Sequence, residues 1–207
     1  MLTKGERTRE KITRAAAELF VRQGFAATSI SDLLEATGVT KGSLYFHFPG
    51  KDDLALAVLE QAGEEFMAFL DAALVGPTPA ARLDNFLRQA FELHRGSGFV
   101  GGCLWGNTAL ETSDCNPLYA GRVADVFAKW TGKIRSVIAE AQAAGQIRMD
   151  LPADTLAPFV VSSIEGGIML SRLSKEEGPL RRCLDSLRTL LELKTEKEDA
   201  RGRNVPS

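Results

Sequence analysis

"TSISDLLEATGVTKGSLYFHFPGKDDL", residues 28–54, decides the fold. It holds two short segments with apolar periodicity, each opened by a hydroxyl residue and separated by the turn Gly38-Val39. Thr28 or Ser29 caps the first segment. Asp32 falls near its first turn, where the helix dipole favours negative charge. Ile30, Leu33 and Leu34 turn inward, and Gly38 ends the helix. Thr40 caps the second segment, "KGSLYFHF", which Pro49-Gly50 stops. Upstream, a longer amphipathic helix is predicted from about Thr8 to Gln23. Ile12, Ala15, Ala16, Leu19 and Phe20 form its buried stripe, and Gly24 closes it. A long helix followed by two short ones across a tight Gly-containing turn describes a helix-turn-helix unit.

Tyr45, Phe46, His47 and Phe48 form a run of four rings that cannot all enter one core. Leu44 and Phe48, four apart, are assigned to the packed face with Phe46 assisting, while Tyr45 and His47 point outward. Thr40, Lys41, Gly42 and Ser43 make the N-terminal turn, the part of a recognition helix that meets base edges and phosphates. Gly42 costs about 1 kcal/mol in helix propensity, and its missing side chain lets the backbone approach a groove.

The rest of the chain also reads as helical, over about 51–75, 80–95, 102–113, 117–144, 153–173 and 179–194, with Gly and Pro at the breaks. No strand ladder is predicted. "GQIRMDLPAD", residues 145–154, reads as a connector with a short extended piece. The stretch after Leu193 has almost no apolar residues, and a flexible tail is expected over 195–207. The fold class is therefore all-α.

The apolar share of 44% and charged share of 25% are ordinary for a globular chain of 207 residues. The apolar runs are short and interrupted by charge, so no membrane span is expected. "MLTKGERTREK" is not a secretory leader, and a cytoplasmic location follows. Residues 1–51 carry eight Lys/Arg against five Asp/Glu, a net +3, while the remainder carries 17 against 22, a net -5. A basic head on an acidic body is the asymmetry expected when one end meets a polyanion. Three cysteines without a Cys-x-x-Cys, and only two histidines, argue against a disulfide framework and a zinc site. No cofactor or metal is expected. Catalysis is not expected either: there is no nucleophile elbow, phosphate-cradling loop or His/carboxylate metal spacing. His94 and Cys103 alone offer Cys–His chemistry, across a Gly-rich break.

With "AAAELFVRQGFAATSI" upstream, the stretch resembles the DNA-binding domain of the TetR family of transcriptional regulators over about residues 8–54. The resemblance implies a three-helix DNA-binding domain over 1–50, a larger helical ligand-binding and dimerisation domain over 51–194, and repression of a double-stranded DNA operator by a homodimer. It implies DNA contacts from Thr28, Ser29, Thr40, Lys41, Gly42, Ser43, Tyr45, His47 and Lys51. Tyr45, His47, Thr28 and Lys51 suit phosphate oxygens, and Lys41 suits phosphate or guanine. It also implies that the last two helices pack against the same pair of a second subunit. Leu156, Phe159, Val160, Ile164, Ile168 and Leu173 lie on or near one stripe there, and Leu184, Leu187, Leu190 and Leu191 form another. Gly166-Gly167 permits close approach of two backbones.

"GFVGGCLWGNTALETSD", residues 98–114, places four glycines before or inside a helix. The Gly-Cys-Leu opening resembles a NemR-like branch of the same family, in which some members sense electrophiles or oxidants through the equivalent cysteine. Cys103, Trp105 and Asn107 are the candidate effector-pocket or sensor residues. Cys103 has three readings: a reactive thiol near a helix N-terminus, a pocket-lining residue, or plain packing. Phe66, Phe69, Phe86, Phe91, Trp105, Phe127, Trp130 and Phe159 supply an apolar body, mostly core, some of which lines a cavity for an unidentified small-molecule effector.

Overall fold

The computed structural model describes residues 3–194; the tail expected over 195–207 lies outside them. Among the described residues the elements are all helical. They are α1 (Lys4–Gln23), α2 (Ile30–Thr37), α3 (Lys41–His47), α4 (Lys51–Ala73), α5 (Pro79–Gly96), α6 (Leu104–Thr112), α7 (Pro117–Ala143), α8 (Ala153–Ser174) and α9 (Gly178–Leu190).

Helix α1 begins earlier than its apolar stripe suggests, because Thr3 and Glu6 form a capping box. Thr3 Oγ1 accepts from the Glu6 amide at 3.2 Å, and Glu6 Oε2 accepts from the Thr3 amide at 2.6 Å. Ser29, not Thr28, caps α2 in the same reciprocal way with Asp32, at 3.2 and 2.7 Å. Such a cap contributes about 1 kcal/mol.

The helices cluster into two compact units, one of residues 3–66 with 101–126, the other of residues 67–100 with 127–194. This differs from the expected division at residue 50. The segment 101–126 joins the first unit because α6 packs on α1. Helices α4 and α7 each begin in the first unit and end in the second.

In the first unit, Ile12, Ala16 and Phe20 of α1, Leu33 of α2, and Leu44 with Phe48 at α3 are buried together with Leu54 and Val58 of α4. The Arg9 guanidinium lies 4.8 Å from the centre of the Phe48 ring. Burial of a side chain of this size contributes about 1.5–3 kcal/mol, so the three helices depend on a small set of contacts.

In the second unit, α8 packs along α9 at Gly167. A Cβ on Gly167 would fall 3.0 Å from Leu180 Cδ1 and 3.1 Å from Cys183 Cβ, whereas Gly166 faces open space. Ser171 Oγ accepts from the Leu180 amide at 2.9 Å, and the Cys183 thiol donates to Ser163 O at 2.9 Å. Leu156, Val160, Ile164 and Ile168 are buried, as are Leu184, Leu187 and Leu191. Phe159, Leu173 and Leu190 depart from the expected stripes, at 45%, 81% and 48% exposure; the helix turns them away from the packed face. Contrary to expectation, α8 is long and apolar enough to cross a bilayer by length and composition, because it carries apolar residues on both its packed and its outward faces. The 145–154 connector runs through turns and bends without a strand. Arg148 donates its amide to Leu191 O at 2.9 Å and Lys194 donates to Gln146 O at 3.0 Å, which clips the end of α9.

Burial on α5 pushes the His94 imidazole down to about 4, so the folded protein keeps it neutral. An unfolded histidine titrates near 6.5, so the unfolded chain takes up that proton first on acidification. Stability should then fall between about pH 6.5 and 4, by at most about 3 kcal/mol, and show no His94 contribution above that window. Urea midpoints measured against pH check this: His94→Gln should flatten that segment of the profile, and an unchanged slope in the variant refutes the assignment.

Candidate nucleic-acid interface

Helix α3 is seven residues long and held at both ends. Thr40 Oγ1 accepts from the Ser43 amide at 3.2 Å, and the preceding turn uses Gly38 at φ 64°. At about 100° per residue, Lys41 and Tyr45 share one outward sector and Gly42 and Phe46 the next. Lys41, Gly42 and Thr40 are exposed, Tyr45 is 41% exposed and Phe46 83% exposed, while Ser43 and His47 are half-buried at the flanks. The Lys41 ammonium lies 5.9 Å from the centre of the Tyr45 ring, and the Phe46 ring meets His47 edge-on at 5.1 Å. The expectation that Phe46 helps seal the core is overturned. It is two residues from both Leu44 and Phe48, about 160° around the axis, so it faces away from them.

Thr28 is also corrected. It is fully buried, its hydroxyl donates to Gly24 O at 2.7 Å and accepts from Gln23 Nε2 at 3.3 Å, and it presents nothing to a phosphate. Ser29 stays exposed as the cap of α2. Lys51 is half-buried: its ammonium donates to Ala26 O at 3.3 Å and lies 4.3 Å from the centre of the Phe25 ring. Burial draws its pKa below the usual lysine value, partly offset by the carboxylates of Glu111, Asp52 and Asp32. From this half-exposed position it also braces the 24–29 loop.

Helix α1 carries exposed cations at Lys4, Arg7, Arg9, Lys11 and Arg14, of which Arg9 lies against the Phe48 ring at the end of α3. Most acids of this region are engaged locally. Glu6 and Asp32 close the two capping boxes, and Glu10 pairs with Arg14 at 3.0 Å. Backbone and hydroxyl donors hold the Glu6 and Asp32 carboxyls below the usual range.

Helix α6 carries the three candidate sensor residues. Cys103 is its half-buried N-cap residue, with no capping bond from the thiol. Trp105 is buried, 6.3 Å from the Phe66 ring, with Gly63 of α4 beside it. Asn107 Nδ2 donates to Gly101 O at 2.7 Å. The space left by Gly101, at φ 85°, is taken by Val21: a Cβ there would stand 2.4 Å from Val21 Cγ1. The cavity lined by Asn107, Thr108, Glu111, Phe20, Phe25 and Tyr119 has a volume of about 10 Å³, room for one water and not for a metabolite. Among the described residues no group of three or more His, Cys, Asp or Glu could hold a metal ion.

Three contacts were not anticipated. Glu111 Oε2 accepts from the Phe25 amide at 2.9 Å and Oε1 from the Ala26 amide at 2.6 Å. Tyr119 donates its hydroxyl to Asp52 Oδ1 at 2.6 Å, and burial together with that carboxylate raises the phenol pKa. The Phe25 ring meets Tyr119 edge-on at 5.1 Å. An isolated acid in an otherwise uncharged helix was the only local sign of Glu111; its partners lie more than eighty residues away.

Replacing Thr28 by Val removes a buried hydroxyl and leaves Gly24 O without that donor. Stability should fall by about 1–2 kcal/mol by urea titration. The folded variant should keep the wild-type salt dependence of DNA binding, since the side chain reaches no phosphate.

Residues 12–58 match the family described as bacterial regulatory proteins, tetR family, and residues 79–187 match the tetracyclin repressor-like, C-terminal domain. The chain is 28% identical to the HTH-type transcriptional repressor DhaR of Mycobacterium sp. (strain GP1), over 85% of this chain and 88% of that protein. A crystal structure of a TetR transcriptional regulator from Chloroflexus aurantiacus J-10-FL is 35% identical, with a TM-score of 0.84 over 92% of this chain and 97% of that one. The reduced form of NemR from E. coli has a TM-score of 0.80 over 91% of this chain and 100% of that one. At 19% identity that likeness is one of fold alone.

Proposed function

Because the chain belongs to the TetR family of bacterial regulatory proteins, we propose that it is a cytoplasmic repressor that binds a double-stranded DNA operator as a homodimer. The observation that carries this reading is the outward face of α3, where Lys41, Gly42, Tyr45 and Phe46 are exposed, in a unit whose α1 carries exposed cations. Thr40, Ser43, Ser29 and His47 flank that face and complete the contact set; Thr28 drops out of it, and Lys51 acts by bracing. Lysine and arginine set affinity through phosphates, and the helix N-terminal turn meets base edges. The relatives reported above are transcriptional regulators, not enzymes, and the name of DhaR supports repression over activation.

Dimerisation through α8 and α9 is supported by Phe159, Met169, Leu170 and Leu173, which are exposed apolar side chains on the outward part of α8. Two heads would meet half-sites about 34–36 Å apart. An effector that favours a different spacing of the heads weakens binding, and a coupling of about 1–3 kcal/mol changes affinity about 5- to 150-fold. Helix α4 is the lever, since it starts at Lys51 and ends at Ala73.

The second input to this regulator is the Cys103 thiol. It stands half-buried at the N-cap of α6. Trp105 and Asn107 shape the segment around it. If Cys103 senses electrophiles, treatment with N-ethylmaleimide should release wild-type protein from DNA and leave Cys103→Ser bound; equal release of both removes Cys103 from the mechanism.

In vitro selection from random duplex DNA tests the DNA-binding reading. It should enrich a two-half-site sequence whose affinity falls steeply with salt. No enrichment at any salt concentration refutes it. Tyr45→Phe should weaken operator binding several-fold with an unchanged urea midpoint. Equal loss of affinity and stability would put the ring in the core.

A further inference from the structure

We propose that Glu111 is a positioning residue for the DNA-reading helices, through which the placement of α6 sets operator affinity; this rests on the DNA-binding reading above. Its carboxylate is the acceptor for two consecutive amides, Phe25 at 2.9 Å and Ala26 at 2.6 Å, in the loop between α1 and α2. The Ala26 peptide is gripped from its other side as well, because Lys51 Nζ donates to Ala26 O at 3.3 Å. The loop that aims α2 is therefore held between the last turn of α6 and the first residue of α4.

Two features make this grip specific. Gly24 has φ 90°, and a Cβ there would lie 3.0 Å from Glu111 Oε2, so the absent side chain makes room for the carboxylate. The cavity beside it, at about 10 Å³, admits a single water, so on that side little solvent can replace a displaced carboxylate, while Ala26 on the other side is exposed. A shift of α6 then has two outcomes: α2 and α3 follow it, or two amides lose a charged acceptor. Glu111 touches no part of the exposed α3 face, so its effect on DNA is carried by the loop alone.

Glu111→Gln keeps the shape of the side chain but offers one carbonyl acceptor in place of two carboxylate oxygens; Glu111→Ala offers none. Operator affinity should fall about 5- to 50-fold in Glu111→Gln and further in Glu111→Ala, as loss of hydrogen bonds to a charged group implies. The slope of log affinity against log salt should stay that of the wild type, because no phosphate contact is lost. Hydrogen exchange at the Phe25 and Ala26 amides should quicken in Glu111→Gln without DNA present. Wild-type affinity together with protected amides in Glu111→Gln overturns the proposal. A lowered melting temperature with undiminished affinity of the folded variant also overturns it and reduces Glu111 to a brace. If the wild type itself binds no DNA, the regulator reading fails, and exchange at the two amides still decides whether Glu111 holds the loop.

Discussion

The C-terminal end of α1 lies against α6 with no side-chain layer between them at two glycines. Gly101 admits Val21, and Gly24 admits the Glu111 carboxylate. Both glycines have positive φ, so a larger residue at either position would meet a steric clash and a strained backbone together. This close approach makes a single compact unit from the helix-turn-helix and a segment nearly fifty residues further along the chain. It also puts a carboxylate within reach of loop amides that a side-chain layer would keep apart.

Polar contacts cluster around that junction. Tyr119 donates to Asp52 at the start of α4, Lys51 donates to Ala26 O, and Glu111 accepts from the two loop amides. Each involves a charged partner, which makes the bond stronger than a neutral one, although those at Ala26 lie at the exposed surface. Apolar burial alone would tolerate sliding between these helices. Directional bonds to a fixed loop do not, so the direction of α2 is tied to the positions of α4 and α6.

Local electrostatics acts at the opposite surface. Capping draws Glu6 and Asp32 into bonds with their own backbones, and Glu10 is neutralised by Arg14. The capping carboxylates keep their charge and the Glu10–Arg14 pair cancels within itself, so residues 1–51 keep their net +3. In a chain of net charge -2, that leaves a positive head on an acidic remainder.

The sequence by itself determined the helices and the outward use of α3. Capping residues, Gly and Pro breaks, and three-four periodicity are local signals, and they placed the nine described helices within a few residues, apart from the four-residue early start of α1 and the four-residue early end of α9. Tyr45 and Lys41 were legible as outward-facing; Phe46 was legible too, since spacing alone sets it opposite Leu44, but its hydrophobicity argued for the core. Only the tertiary structure decided what long-range packing governs. It buried Thr28, turned Lys51 inward onto Ala26 O, joined 101–126 to the head and gave Glu111 its partners. Those outcomes depend on residues far apart in the chain meeting at contacts a few ångströms long, and no periodicity along the sequence encodes which distant segment arrives.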